Sequence, residues 1–190
     1  MRQATIARRT RETDVTVTLD LDGTGQSDCA TGVGFFDHML DQVARHALVD
    51  LHVRAAGDRH VDDHHTVEDT GIAIGQALAK ALGDKAGIRR YGAFTLVMDD
   101  ARVEAALDLS GRPWLGWDVA FPAAKIGTFD TELVREWFQA FATNAAVTLH
   151  AETLYGANAH HMAVAVEPLS ALVERMRANG AGDPTGYRRL

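Results

Sequence analysis

The chain has 190 residues, of which 46% are hydrophobic and 24% charged, an ordinary composition for a globular protein with a sizeable core. Its formal net charge of -7 argues against nonspecific nucleic-acid binding, and no run approaches the ~20 apolar residues needed to cross a bilayer. The basic stretch 1–11 is followed by no apolar segment, and the single cysteine, Cys29, can form no internal disulfide. We therefore expect a cytoplasmic protein that binds neither nucleic acid nor membrane.

Hydrophobic periodicity predicts the elements of the first half. Alternation predicts strands at 5–8 and 14–19, joined near Arg11-Glu12-Thr13. Apolar residues at 35–47 follow a helical period, and a strand is expected at 48–55. A second amphipathic helix is predicted to begin near His64 and to end at Gly83.

The second half follows a similar course. Strands are predicted at 94–98 and 103–109, joined at Asp99-Asp100, and a loop or bulge is predicted over 108–117. Asp130-Thr131 is expected to cap a helix that ends near 145, and a strand is expected at 147–151. A last helix is predicted from His160 to about residue 176, followed by a mobile tail.

An internal repeat relates the two halves. The order helix, strand, loop, His-His, helix occurs twice, and the segments 47–52 and 145–150 are similar. His38 lies 26 residues before His64, and Glu136 lies 24 residues before His160. The sequence therefore predicts one domain built from two repeats, about 1–90 and 91–178, with a flexible tail at 179–190.

Two tandem histidine pairs, His64-His65 and His160-His161, hold four of the nine histidines. Neighbouring residues on a helix point about 100° apart, so the two imidazoles of one pair cannot comfortably bind the same ion. Each can serve a separate ion, with Glu68 on the same helix face as His64. We therefore predict two metal sites, each drawing on both pairs.

The ligand atoms restrict which metal can bind, and nearby aspartates can restrict how the imidazoles are oriented. Imidazole and carboxylate ligands without a thiolate suit manganese, iron, nickel or zinc. Asp62, Asp63 and Asp69 are candidates for orienting the imidazoles by hydrogen bonds.

The chain resembles the imidazoleglycerol-phosphate dehydratase family in six motifs that occur in the family's order. They are Arg11-Glu12-Thr13, Gly34-Phe35-Phe36-Asp37-His38-Met39-Leu40-Asp41, Asp63-His64-His65-Thr66-Val67-Glu68-Asp69, Gly87-Ile88-Arg89-Arg90-Tyr91-Gly92, Asp108-Leu109-Ser110-Gly111-Arg112-Pro113 and Gly156-Ala157-Asn158-Ala159-His160-His161.

This resemblance implies an α/β (α+β) fold in which duplicated β-α-β-α half-domains form two four-stranded sheets packed around a helical layer. It implies a hydro-lyase that converts D-erythro-imidazole-glycerol phosphate into imidazole acetol phosphate in histidine biosynthesis, with two Mn²⁺ per active site. It also implies a large homo-oligomer, typically of 24 chains, with active sites shared between subunits.

Matching positions imply the site residues. The resemblance assigns catalytic roles to Glu12, His38 and Glu68, with Glu12 as the base near the carbon that loses its proton. The implied metal ligands are His38, His64, His65, Glu68, Glu136, His160 and His161, and Glu136 stands where many members have a histidine. Glu12, Arg90 and Arg112 are the implied substrate-binding residues, the two arginines for the phosphate.

The C-terminal segment departs from the family pattern. Val164 stands where a ligating glutamate is expected, Pro168 replaces a phosphate-binding lysine, and the closing Ser-Thr-Lys-Gly motif is absent. Glu167 could replace the missing ligand only if the helix is broken locally. We therefore expect Val164 and Pro168 to impair activity.

Three hypotheses remain open at this point. The chain is an active or weakened dehydratase, a metal-binding oligomer of the same fold with little catalysis, or a di-metal hydrolase such as a phosphoesterase. Two metals per chain with turnover favours the first, metal without turnover the second, and phosphate release the third.

Overall fold

The structure is a computed structural model and describes residues 2–166 of the chain. Its first half contains β1 (Gln3–Arg9), β2 (Thr13–Asp20), β3 (Ser27–Ala30), α1 (Gly34–Ala47), β4 (Asp50–Gly57) and α2 (His64–Leu82). Its second half contains β5 (Tyr91–Met98), β6 (Ala101–Asp108), β7 (Trp114–Asp118), β8 (Lys125–Ile126), β9 (Phe129–Asp130), α3 (Glu132–Ala145), β10 (Thr148–Tyr155) and α4 (Ala159–Ala165). Each predicted helix and strand is present, although several ends shift by a few residues.

The two main sheets have the same topology. Their strand orders are β1-β2-β4-β3 and β5-β6-β10-β7. In each sheet the first three neighbours pair antiparallel, whereas the outer strand, β3 or β7, pairs parallel to its neighbour. The strands β8 and β9 form a separate small hairpin before α3.

Each sheet buries one face under helices. Alternate residues of β2, such as Val15 and Val17, are fully buried, and so is Val103 of β6. α1 and α2 pack on the first sheet, α3 and α4 pack on the second, and α2 contacts α3. Two four-stranded sheets around a helical layer confirm the predicted fold class, while the limits of the two repeats stay a prediction.

Two glycines let α2 approach α3 closely. A Cβ atom at Gly71 would lie 2.9 Å from the carbonyl oxygen of Trp137, and one at Gly75 would lie 2.7 Å from that of Phe141. Backbone contact of this kind requires residues without a side chain. The middle of α2, the helix that begins at His64, therefore packs directly against the backbone of α3.

Four strands are absent from the sequence prediction, namely the two-residue strands β8 and β9 and two longer strands at the sheet edges. No strand was expected at β3, and the predicted loop or bulge over 108–117 is wrong at its end, because β7 begins at Trp114. Both are short edge strands that are only partly buried, so neither shows the apolar alternation that reveals β2 and β6.

Three smaller predictions have different outcomes. Thr131 precedes α3 as expected, but its hydroxyl donates to the carbonyl of Ala123 at 2.9 Å and does not cap the helix. The last helix, predicted to run to about residue 176, ends at Ala165 with Val166 in a turn, so its predicted length is wrong. Pro168 and the tail at 179–190 lie outside the described residues. None of the helices in the range 2–166 is long and apolar enough to cross a membrane.

Candidate metal and substrate site

Both histidine pairs lie in the first turn of a helix. The carboxylate of Asp62 accepts the backbone N–H of His64 at 2.8 Å where α2 begins. The side chain of Asn158 caps α4 by accepting the backbone N–H groups of His160 and His161 at 2.9 and 3.3 Å. Within each pair the ring centroids are 6.1 Å apart, with interplanar angles of 87° and 83°. The duplicated local structure thus gives each pair two nearly perpendicular imidazoles.

A carboxylate engages the second histidine of each pair. Nδ1 of His65 lies 3.1 Å from both carboxylate oxygens of Asp58, and Nδ1 of His161 lies 2.5 Å from Oδ1 of Asp100. When Nδ1 carries the proton and donates it in this bond, the other ring nitrogen keeps a lone pair for a metal. This arrangement favours Nε2 as the coordinating atom of both histidines.

These contacts also shift the acid–base properties of the pairs. The hydrogen bond to the carboxylate of Asp58 raises the pKa of His65. Hydrogen bonds from His161 and from the N–H groups of Ala157 and Asn158 lower the pKa of Asp100 to about 2. Asp100 is therefore ionised at neutral pH and can accept a hydrogen bond from the imidazole N–H of His161.

The aspartates proposed from sequence have other partners. Asp62 binds the backbone of His64, and Asp63 forms an ion pair with Arg59 at 2.9 Å. Asp69 is 6% exposed and faces the strands under α2. The expectation that these three orient the imidazoles is wrong, because their side chains are engaged elsewhere and Asp58 and Asp100 perform this task.

The remaining predicted ligands fall into two groups. Nε2 of His64 lies 3.8 Å from Oε2 of Glu68, and both side chains are partly exposed. His38 of α1 and His160 of α4 stack with ring centroids 6.3 Å apart, next to Phe35. Burial is the main cause that lowers the pKa of His160, so its ring favours the neutral, metal-binding form.

Glu136 makes no contact of this kind with the His64–Glu68 pair or with the His38–His160 pair. Its carboxylate lies 3.3 Å from Nη1 of Arg135, and it lines a shallow concavity of the second half together with Trp117 and Thr131. No predicted histidine ligand lines that concavity. Within residues 2–166 of one chain, no three histidine, cysteine or acidic side chains lie close enough together to hold a metal ion.

Glu12, distant in sequence from the histidines, lies close to the His64-His65 pair. Its carbonyl oxygen accepts the N–H of Asp58 at 3.0 Å, and the Asp58 carboxylate binds His65. The negative charge of Glu12 is a further, smaller cause of the raised pKa of His65. Its own N–H bonds to the hydroxyl of Thr10 at 3.1 Å, which fixes the backbone of the turn.

The two arginines predicted to bind phosphate also come together. Nε and Nη2 of Arg90 donate to the two oxygens of Asp108 at 2.7 and 3.0 Å, and Nη2 of Arg112 lies 3.6 Å from the same carboxylate. Nζ of Lys85 donates to the neighbouring carbonyl of Leu109 at 3.0 Å. Three cations thus surround one carboxylate at the end of β6.

Sequence reasoning missed Asp58, Asp100 and Asp108 as functional neighbours. One signal was available for Asp100, because it directly precedes β6 just as Glu12 directly precedes β2. Aligning the hairpin turns of the two repeats would have paired these two carboxylates.

Comparison with known proteins gives a consistent result. The family model for imidazoleglycerol-phosphate dehydratase matches residues 31–170. The curated protein of that name from Paracoccus denitrificans is 66% identical over 184 residues, which cover 97% of this chain and 93% of the relative. The one from Jannaschia sp. is 68% identical over 165 residues, which cover 87% of this chain and 85% of the relative.

Solved structures support the same assignment. The imidazoleglycerol-phosphate dehydratase of Staphylococcus aureus has a TM-score of 0.83 at 35% identity and covers 92% of this chain and 97% of that one. The enzyme of Pyrococcus furiosus, solved with (S)-C348, has a TM-score of 0.79 at 32% identity, with coverages of 90% and 92%. The motifs, the fold and these relatives agree, and the chain belongs to the imidazoleglycerol-phosphate dehydratase family, the hydro-lyases of histidine biosynthesis.

Proposed function

We propose that this protein converts D-erythro-imidazole-glycerol phosphate into imidazole acetol phosphate in the cytoplasm, using two Mn²⁺ ions per active site. We further propose that its active sites form between subunits of a large homo-oligomer, of the order of the 24 chains implied by the resemblance.

The observation that carries this proposal is the link from Glu12 through Asp58 to His65. It brings Glu12, which lies 53 residues away in the sequence, to the histidine pair at the start of α2, and the negative charge of its carboxylate contributes to the raised pKa of His65. A dehydration that begins at an unactivated carbon needs a base beside the group that activates the substrate. Glu12 is exposed, so its carboxylate is accessible to a substrate.

The side chains present fit manganese. Imidazole and carboxylate donors suit this metal, and the hydrogen bonds that Nδ1 of His65 and His161 donates to Asp58 and Asp100 leave Nε2 of both rings to coordinate. We assign the ligand roles to His38, His64, His65, Glu68, Glu136, His160 and His161, with Glu136 in the position of a histidine. When bound, the ions withdraw electron density from the imidazole ring of the substrate and make the neighbouring C–H more acidic.

Sharing of the site between subunits is supported by the separation of the ligands. Because the residues described in one chain contain no metal-binding group of three, the His64–Glu68 pair and the His38–His160 pair each need further ligands. A second copy of the chain is the natural source, since every copy carries the complementary set.

The chain's own groups divide the remaining work. The carboxylate of Glu12 removes the proton from the carbon next to the imidazole ring. Arg90 and Arg112 bind the phosphate, whose charge and geometry match two guanidinium groups. Together these contacts hold the reacting carbon within reach of the base.

A second candidate, a metal-binding oligomer with weakened catalysis, is favoured by one observation. Val164, half-buried in α4, occupies the position four residues after His160 that Glu68 occupies after His64. The second half thus supplies no carboxylate where the first half has one. The hydrolase hypothesis gains no comparable support from the described residues.

Metal analysis combined with an ultraviolet assay of imidazole acetol phosphate distinguishes these functions. We expect two manganese ions per chain and turnover in the wild-type protein purified with manganese. In Glu12→Gln we expect the same metal content and no turnover. Metal without turnover in the wild type would support the weakened member, and release of inorganic phosphate would contradict both.

A further inference from the structure

The cluster of Lys85, Arg90, Asp108 and Arg112 at the end of β6, here called the strand-end cluster, contains a carboxylate where an anion is expected to bind. Asp108 binds Arg90 through both oxygens, and its Oδ2 also lies closest to Arg112. A negative charge at this place opposes a phosphate, so its presence needs a physical reason.

That reason lies in the arginines themselves. Two guanidinium groups repel each other, and the Arg112 side chain is 71% exposed and so has many accessible conformations. Ser110 and Thr148 hold only the backbone of Arg112, through hydrogen bonds of 3.3 and 2.9 Å. Asp108 is the one group in the strand-end cluster that contacts both arginine side chains.

The first half of the chain provides a comparison. Arg2 precedes β1 as Arg90 precedes β5, and in both places the arginine carbonyl accepts an N–H after the second strand, from Leu21 or Leu109. Arg2 is also bound by a carboxylate, Asp22, at 2.6 Å from Nη2. The first half therefore contains a similar arginine–aspartate pair.

The electrostatic balance of the two strand ends differs. The end of β2 and the turn after it contain two aspartates, Asp20 and Asp22, and Asp22 pairs with one arginine, Arg2. The strand-end cluster instead has three cations and one aspartate. After each aspartate has paired with a cation, only the strand-end cluster keeps an excess of positive charge that attracts a dianion. An arginine–aspartate pair by itself is thus a structural feature, and the added cations distinguish the second half.

We propose that Asp108 is a positioning residue for the substrate phosphate: it holds the guanidinium groups of Arg90 and Arg112 side by side so that both face one phosphate monoester. The identity of the phosphate compound rests on the proposed function, whereas binding of phosphate to the strand-end cluster does not. Water and salt screen the repulsion between Asp108 and the ligand at this partly exposed place. They do not remove the effect of Asp108 on the orientation of the two guanidinium groups.

The test compares Asp108→Asn with Asp22→Asn as the matched control, using full-length, manganese-loaded protein. In Asp108→Asn we expect KM to rise about tenfold with kcat within about twofold, the size expected for one lost charge-assisted hydrogen bond. The affinity for inorganic phosphate, measured by calorimetry, should fall by a similar factor. Asp22→Asn should change neither quantity.

Two further variants separate orientation from folding. Asp108→Glu keeps the charge and should recover part of the phosphate affinity. If Asp108 acts through Arg112, the effects of Asp108→Asn and Arg112→Ala on phosphate affinity should be less than multiplicative in the double variant. Melting temperatures of all variants identify any that do not fold.

The proposal is overturned if Asp108→Asn binds inorganic phosphate as well as or better than the wild type, since repulsion would then be the larger effect. Equal losses in Asp22→Asn and Asp108→Asn would overturn it as well. Because calorimetry with inorganic phosphate needs no turnover, a wild type that fails to dehydrate the substrate would contradict the proposed function alone.

Discussion

The sheet of the first half and the sheet of the second half share strand order and pairing directions, yet equivalent positions carry different side chains. His38 and Glu136 are each the fifth residue of a 14-residue helix, α1 or α3. Glu68 corresponds to Val164, and Glu12 to Asp100, at the same distance from the histidine pair or the same hairpin turn. At these three places the first half has an imidazole and two carboxylates, whereas the second half has two carboxylates and the apolar Val164.

This difference shows which positions the fold constrains. Val15 and Val103 lie at equivalent positions of β2 and β6 and are both fully buried, because each half must fill a core of the same kind. The differing positions lie in hairpin turns and in the second turn of helices, on side chains that are not fully buried. The two halves therefore differ in chemical groups at these positions without a change of fold, and the proposed function assigns the base to the first half and phosphate binding to the second.

Neutralising the carboxylates at the two equivalent hairpin turns should give the largest difference between the halves, one variant losing turnover and the other losing metal. Glu12→Gln should reduce turnover by about 10² to 10⁴-fold and retain the metal, because it removes a base. Asp100→Asn should weaken metal binding by about 10 to 100-fold, because His161 loses the group that orients its ring. Manganese content and kcat of both variants check this assignment. Loss of metal in Glu12→Gln would show that the roles are reversed.

The carboxylate present in one half and absent in the other offers a second test. Val164→Glu should raise the affinity for manganese by about tenfold, and Glu68→Val should lower it by a similar factor, as expected for one charged ligand. Titration of metal-free protein with manganese measures both. An unchanged affinity in Val164→Glu would mean that another group already provides this ligand.

The contact between the halves can be weakened without touching the site. A methyl group at Gly75 would meet the backbone of Phe141 at 2.7 Å, so Gly75→Ala should lower the free energy of unfolding by about 1–3 kcal/mol. Gly34→Ala is the control, because a Cβ atom at Gly34, the first residue of α1, has no neighbour within 4 Å. Urea unfolding of both variants checks the difference. Equal stability would contradict direct backbone contact between α2 and α3.

The last comparison concerns the edge strands β3 and β7 and leaves activity unchanged. Cys29 in β3 and Trp117 in β7 both pack against the core. Burial, with added repulsion from Asp37 and Asp41, raises the pKa of the Cys29 thiol to about 12. The thiol therefore stays protonated, and at pH 8 iodoacetamide should modify native protein on the order of 10³-fold more slowly than unfolded protein. Mass spectrometry measures the rate, and rapid labelling of native protein would mean that β3 opens readily.

Much of this protein was determined by local sequence. Apolar alternation fixed β2 and β6, helical periodicity fixed α1, α2 and α3, and the motif order indicated the family before any coordinates. These signals are local, because each depends on neighbouring residues that share one face of a strand or helix. The histidine pairs were found for the same reason.

Only the tertiary structure decided which distant groups meet. The pairing of His65 with Asp58, of His161 with Asp100 and of two arginines with Asp108 depends on how strands and loops from different parts of the chain are placed. The edge strands β3 and β7 likewise form through pairing with β4 and β10, not through their own pattern. Periodicity shows which face a residue occupies, but the partner across that face comes from elsewhere in the chain.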